Sequence, residues 1–253
     1  MALNFRQTEI LEIARNEGRV VVEDLAERLN VSLQTIRRDL SDLSDAGLMD
    51  RVHGGAVIRI GVANFAYEER RRMHEAAKTA IGRACAQTIP DNCSIILNLG
   101  TTTEAVAREL RNHRNITVVT NNINVANILL ANESCEIMVA GGTLRRSDGG
   151  LVGDLTADFM CQFKVDYAVI GASALDEDGD LLDFDLAEIR VSRTILQQAR
   201  KRILVTDASK LARSAPVRLA SLQMLDTLFI DQPLPEALAQ RCAEWGTDVH
   251  VAR

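Results

Sequence analysis

Long hydrophobic runs are missing from this chain. None approaches the roughly 18 consecutive apolar residues that a membrane-spanning helix needs, and the opening Met1-Ala2-Leu3-Asn4-Phe5-Arg6-Gln7-Thr8-Glu9 lacks the apolar core of a signal peptide. The expectation is a cytoplasmic protein without a membrane partner. Cysteine is scarce too: Cys85, Cys93, Cys135, Cys161 and Cys242 are odd in number and include no C-x-x-C pair. The four histidines, His53, His74, His113 and His250, stand at no ligand spacing from them. Buried thiols, no metal and no cofactor are expected. Aromatic residues make up 4% against 47% hydrophobic residues in all, a balance that suits an aliphatic α/β protein. Basic charge is also lacking, for the formal net charge is −6 and the first sixty residues carry eight arginines against ten acids. A protein that held nucleic acid by bulk charge would look different. At 253 residues the chain can hold a small domain and one of ordinary size.

What is present begins with Asn30-Val31-Ser32-Leu33-Gln34-Thr35-Ile36-Arg37-Arg38-Asp39-Leu40, which reads as the second helix of a helix-turn-helix. Ser32 is a good N-cap. With Ile36 pointing inward and about 100° per residue, Leu33, Leu40 and Leu43 fall on the buried stripe. Gln34, Arg38 and Ser41 then face outward, flanked by Thr35 and Arg37. Such side chains read base edges and bind phosphates. An ordinary amphipathic helix has the same periodicity, so the flanks decide. Residues 3–17 form a helical pattern with Phe5, Ile10, Leu11 and Ala14 apolar and Gly18 placed as its C-cap. A short strand at 20–22 and a short helix at 23–29 lead into the turn. After the second helix, Gly47-Leu48-Met49 opens a hairpin that closes on Arg51-Val52-His53-Gly54-Gly55-Ala56-Val57. Arg51 and His53 of this wing reach toward the backbone or minor groove. Residues 1–58 are therefore expected to be a winged helix-turn-helix. Its candidate DNA contacts are Ser32, Gln34, Thr35, Arg37, Arg38, Ser41, Arg51 and His53. Because the total charge is acidic, affinity must come from a local basic face doubled by pairing of two copies.

Residues 59–78 are a charged connector containing Glu68-Glu69-Arg70-Arg71-Arg72. From Ser94 onward short apolar runs alternate with helical patterns. Strands are expected at 94–99, 116–120, 136–140, 166–171, 202–206, 227–230 and 248–251, and helices at 102–112, 124–131, 154–163, 187–200 and 235–245. This alternation predicts a Rossmann-like, mostly parallel sheet covered on both faces, with ligands bound at the carboxyl ends of the strands. Four polar loops stand at successive strand ends. Gly100, Thr101, Thr102 and Thr103 at a helix start suit a phosphate. Asn121 and Asn122 end the next strand, Gly141 and Gly142 the third, and Asp148-Gly149-Gly150-x-x-Gly153 opens the following helix. Together they point to a small phosphorylated ligand. Asp207-Ala208-Ser209-Lys210 brings an ammonium to the same crevice, while Asp183, Asp185 and Glu188 suit the hydroxyls of a polyol. Residues 176–180 read as a solvated acidic turn.

The pattern Val31-Ser32-x-x-Thr35-Ile36-Arg37-Arg38-Asp39-Leu40, then Gly47, then Arg51-x-His53-Gly54-Gly55-Ala56 resembles the DeoR family of bacterial transcription regulators. The resemblance continues from the Gly-Thr-Thr loop to Asp-x-Ser-Lys and so covers nearly the whole chain. It implies that residues 79–253 are an effector-sensing domain related in fold to sugar-phosphate isomerases. It also implies that Tyr67-x-x-Arg70 packs against that domain and that Arg70 and Lys78 join its site. The blocks 120–127, 140–150 and 182–185 resemble the members that answer to glycerol 3-phosphate, which implies that effector. One departure is Asn98, where family members commonly carry Asp ahead of Gly-Thr-Thr. The function implied is a repressor of carbon-source catabolism, a dimer or tetramer on double-stranded operator DNA, released by a phosphorylated metabolite. The alternative is a sugar-phosphate isomerase or deaminase fused to a DNA-binding module. Against it, no carboxylate pair stands at a proton-transfer spacing and the histidines lie outside the crevice loops.

Overall fold

The computed structural model describes residues 4–17, 19–52, 54–58, 67–146 and 148–253. The chain divides into two units, Met1–Ala63 and Asn64–Arg253.

The first unit runs α1 (Phe5–Glu17), β1 (Arg19–Val21), α2 (Val22–Arg28), α3 (Leu33–Asp45), β2 (Met49–Val52) and β3 (Gly55–Ile58). Asn4 and Gln7 start α1 by exchanging bonds: the Gln7 amide donates to Asn4 Oδ1 at 2.8 Å and the Asn4 amide to Gln7 Oε1 at 3.2 Å. This is a capping box, which satisfies two amides that the helix leaves unpaired. The strands pair antiparallel in the order β1-β3-β2, with Val52 opposite Gly55 at the wing tip. Gly54 there has φ +77°, a conformation that favours glycine. Ile10, Leu11, Ala14, Val20, Val22, Leu25, Ile36, Leu40, Leu43, Met49 and Ala56 form the core. Leu33 does not join it, for 42% of its surface is exposed, which corrects its expected place on the buried stripe. Periodicity gives the direction of a side chain and not the length of helix that is covered. The packed part of α3 is its second turn onward, where Ile36, Asp39, Leu40 and Leu43 are buried.

The second unit opens with α4 (Tyr67–Arg72) and α5 (Glu75–Thr88) and continues β4 (Ser94–Leu97), α6 (Thr101–Glu109), β5 (Ile116–Thr120), α7 (Ile123–Leu129) and β6 (Cys135–Val139). Next come β7 (Thr143–Arg145), β8 (Gly150–Val152), α8 (Asp154–Met160), β9 (Val165–Ile170), β10 (Ala174–Leu175), β11 (Asp180–Asp183) and α9 (Leu186–Gln197). The chain ends with β12 (Ala199–Val205), β13 (Val217–Ser221), β14 (Thr227–Ile230), α10 (Glu236–Trp245) and β15 (Asp248–Val251). Seven strands make one sheet in the order β15-β14-β12-β9-β4-β5-β6, and every neighbouring pair is parallel. One apolar cluster includes residues of α8, α9 and α10, the other residues of α5, α6 and α7, so both faces are covered. From β4 the chain builds outward through β5 and β6, then returns to place β9 on the other side of β4. The winding reverses at that point, and in such sheets the carboxyl ends of the two strands there frame the ligand crevice.

Two smaller antiparallel pieces depart from the sequence reading. Residues 150–152 were expected in a loop opening a helix, but they are β8, paired with β7, and only Gly153 caps α8. A second sheet, β10-β11-β13, covers 174–183 and 217–221. These strands are two to five residues long, too short for an alternating pattern to show. The cysteines are all free; Cys85 and Cys242 are buried, but Cys161, just beyond α8, is exposed, contrary to the expectation of buried thiols. Burial raises the Cys85 thiol above its ordinary value. Among the described residues no helix is long and apolar enough to cross a membrane.

Candidate functional site

In the first unit the outer face of α3 carries the candidate DNA contacts. Ser32 caps the helix, its Oγ accepting the Thr35 amide at 3.2 Å and standing 2.8 Å from Thr35 Oγ1. Gln34, Arg37 and Arg38 are exposed, Ser41 is half-buried, and Arg51 is exposed on β2. His53 lies outside the described residues. The orientation of α3 is fixed by a buried carboxylate that periodicity did not single out. Asp39 is 4% exposed and takes Arg6 Nε at 2.5 Å and Arg6 Nη2 at 3.3 Å. One turn on, Gln7 Nε2 donates to Asp42 Oδ2 at 3.3 Å. Two polar links thus set α3 against α1, and the hydrogen bond to Asp39 raises the Arg6 pKa.

In the second unit the loop from β4 to α6 stands at the winding reversal. Gly100 has φ +137° and caps α6. Thr103 Oγ1 donates inward, to Asn98 O at 2.8 Å and Gly100 O at 2.6 Å, so it holds the loop. Thr102 is buried, and Thr101 Oγ1 lies 3.5 Å from Arg70 O. The cleft here is lined by Tyr67, Arg70, Leu99, Gly100, Thr101, Glu104, Asp148 and Glu188. Lys78 is buried, and its ammonium donates to the same Arg70 carbonyl.

Cations gather around Asp207. Burial lowers Lys210 to about 8, with Arg213, Lys78 and Arg70 adding to the effect and Asp207 opposing it. Burial also lowers Lys78 and Arg213. Asp207 is the carboxylate they share; burial would raise it, but Lys210 and the Ser209 hydroxyl keep it low. Its Oδ1 accepts the Ser209 amide at 3.1 Å. Its Oδ2, like Asn98 Oδ1 and Asn121 Oδ1, is buried with no hydrogen-bond partner among the described residues. The amide nitrogens of both asparagines are engaged: Asn98 Nδ2 donates to Ser192 Oγ at 2.7 Å, and Asn121 Nδ2 to Leu151 O at 3.2 Å. Three buried acceptors therefore await donors, an uncommon state for native interiors.

Carboxylates gather around Arg145, a residue the sequence reading passed over. Its guanidinium reaches Asp148 at 2.7 Å and 2.9 Å, Asp185 at 2.7 Å and Glu188 at 2.6 Å, while Arg70 Nη2 reaches Asp148 at 3.3 Å. Burial raises Asp183 above its ordinary value. Burial and the nearby Asp183 raise Glu188 to about 7 against the pull of Arg145.

Other expected ligand residues have structural work. Asn122 caps α7, its Oδ1 accepting the Asn124 amide at 2.9 Å, and Asp185 caps α9, accepting the Ala187 amide at 2.8 Å. Gly141 and Gly142 are exposed beyond β6. A Cβ on Gly142, at φ +139°, would fall 2.0 Å from Thr156 Oγ1, so close packing against α8 already demands glycine there. The sequence reading also missed Glu104, which joins three segments. It accepts Tyr67 Oη at 2.8 Å, Asn124 Nδ2 at 3.2 Å and Asn122 Nδ2 at 3.4 Å. Arg213 had a usable signal, for it follows Lys210 at one-turn spacing. Glu104 had none, because its hydrogen-bond partners are remote in sequence; Arg145 offered only Asp148 three residues on, its other two carboxylates being remote.

Comparisons with known proteins agree with this division of labour. A DeoR-like helix-turn-helix domain matches residues 6–59, and a DeoR C terminal sensor domain matches residues 73–232. The glycerol-3-phosphate regulon repressor of Escherichia coli (strain K12) is 42% identical over 246 residues, covering 97% of this chain and 96% of the relative. The repressor of the same name from Haemophilus influenzae is 40% identical over 247 residues, covering 98% and 96%. Among solved structures, ribose 5-phosphate isomerase A from Methanocaldococcus jannaschii superposes with a TM-score of 0.40 at 16% identity over 54% of each chain. The chain belongs to the DeoR family, and it is a DNA-binding transcriptional repressor with a C-terminal sensor domain.

Proposed function

We propose that the sensor takes glycerol 3-phosphate and that binding releases the repressor, a cytoplasmic homo-oligomer, from its operator. The observation that carries this reading is the crevice itself: the buried Lys78 and the half-buried Lys210 and Arg213 share Asp207, one of three residues with a buried acceptor that has no donor among the described residues. A phosphate dianion meets Lys210 and Lys78 at the Gly100–Thr101 helix start, where backbone amides also favour an anion. The hydroxyls of a polyol supply donors to Asn98 Oδ1 and Asn121 Oδ1, and Asp183 and Glu188 stand with the carboxylates near Arg145. Glycerol 3-phosphate has both ends, and the two relatives above carry its name.

The same geometry supplies a route to release. Lys78 and the Thr101 hydroxyl converge on the carbonyl of Arg70, in the last turn of α4. Both are ligands in this reading, so a bound phosphate draws them away and leaves α4 without that support. In the chain, α4 directly follows residues 59–66, which lead from the DNA-binding unit. An effector that weakens operator binding is, by linkage, bound less tightly by operator-bound protein.

The test is a titration of operator-bound full-length protein with glycerol 3-phosphate, glycerol and inorganic phosphate, alongside thermal melting. Glycerol 3-phosphate is expected to raise the melting temperature of the free protein and to release DNA at concentrations where the other two do neither. Failure of glycerol 3-phosphate in both measurements overturns the effector assignment.

A further inference from the structure

We propose that Leu33 is a base-reading residue, docking on the 5-methyl group of a thymine in the major groove. The leucine is 42% exposed in the first turn of α3, and the N-terminal residues of a recognition helix are the ones that meet base edges. Singly exposed leucines are ordinary on protein surfaces, but this one keeps unusual company. Around it the exposed side chains of α3 are Gln34, Arg37 and Arg38, all suited to hydrogen-bonded readout. Leu33 and Arg37 are four residues apart, hence neighbours on the helix surface, and so are Gln34 and Arg38. The helix therefore presents two columns, one with a leucine and the other with a glutamine in its first turn, each followed by an arginine. Set against a guanine or cytosine edge, Leu33 would strip water from donors and acceptors and give nothing back. The thymine methyl is the apolar group that a major-groove edge offers. Leu33 is not part of the unit's core, so it can be truncated without opening a cavity.

The experiment uses the full-length protein and a half-site selected from random duplex DNA. Each thymine is replaced in turn by deoxyuridine, which removes the methyl group and keeps the pairing edge. The parent protein is expected to bind about fourfold less tightly for one such replacement per half-site, the worth of one buried methyl. Leu33→Ala is expected to bind the unmodified site weakly by a similar factor and to be indifferent to that same replacement. Leu33→Met, which restores apolar reach, is expected to regain sensitivity. A Leu33→Ala protein that responds to deoxyuridine as the parent does overturns the proposal. So does one with parental affinity, or a parent protein indifferent to every replacement. Thermal melting separates a loss of contact from a loss of folding: Leu33→Ala is expected to melt with the parent, and a large drop would place Leu33 in packing and sink its role on DNA.

Discussion

The two units expose their functional chemistry in opposite ways. In the DNA-reading unit Gln34, Arg37, Arg38 and Arg51 stand on the surface, while the carboxylate that shapes the site, Asp39, is buried beneath Arg6. In the sensing unit most candidate side chains are buried or half-buried and already hold one another, Arg145 with three carboxylates and Lys78 with the Arg70 carbonyl. The difference follows from the ligand. A DNA duplex brings its own dense negative charge, so arginines can wait in water at little cost. A small metabolite must be surrounded, so its ligands must be desolvated beforehand and need placeholders. Truncating a surface reader should cost binding alone, whereas truncating a buried member of the crevice should cost folding as well.

Arg145→Ala presses that contrast hardest. It leaves Glu188 without its cation and Asp148 with Arg70 alone, in a network that is only partly buried, so the loss should fall at or below the about 3–5 kcal/mol of a fully buried pair. Chemical denaturation followed in the sensing unit should show that loss, and an unchanged midpoint would mean the carboxylates relax into water. Lys210→Met comes next. A charged hydrogen bond is worth about 1.5–3 kcal/mol, so effector affinity should fall on the order of 10- to 100-fold with operator binding intact. The mutant is then a repressor that induces poorly, and release at the parental concentration would remove Lys210 from the site.

Gln34→Ala and Arg38→Ala test the other side of the comparison. Each should cost about 1–3 kcal/mol on the operator and relax preference at one base position, with the melting temperature unchanged. Binding like the parent would show the reading face to lie elsewhere. The smallest effect is in pH. Lys210 titrates near 8, below its ordinary 10.5, because burial disfavours its charge. A phosphate binds the charged form, so effector affinity should decline as pH rises from 7 to 9, on the order of tenfold. Lys210→Arg should flatten that decline, since arginine stays charged throughout; a decline that survives the substitution would trace to another group.

Much of this molecule was legible without coordinates because its signals are local. Aliphatic strands separated by amphipathic helices announced the parallel sheet. Strands 116–120, 227–230 and 248–251 fell where expected, because β-branched and leucine-rich runs bounded by polar loops leave little choice of ends. The outer face of α3 followed from 3.6-residue periodicity and a serine cap. Leu33 escaped that logic because covering depends on where neighbouring elements stop, which no single helix encodes.

The sequence by itself determined the order of the central-sheet strands and their helices, the polar face of α3 and the glycine-rich and threonine-rich strand ends, since each rests on residues within a turn or two. Only the tertiary structure decided which of those strand ends meet at the reversal between β4 and β9. It alone brought Arg145 to Glu188 across 43 positions and set Arg6 on Asp39 across 33. It also left Asn98, Asn121 and Asp207 with buried acceptors unmet among the described residues. The physical reason is range: periodicity and capping act along the chain, whereas ion pairing and desolvation depend on distances through space that folding must first create.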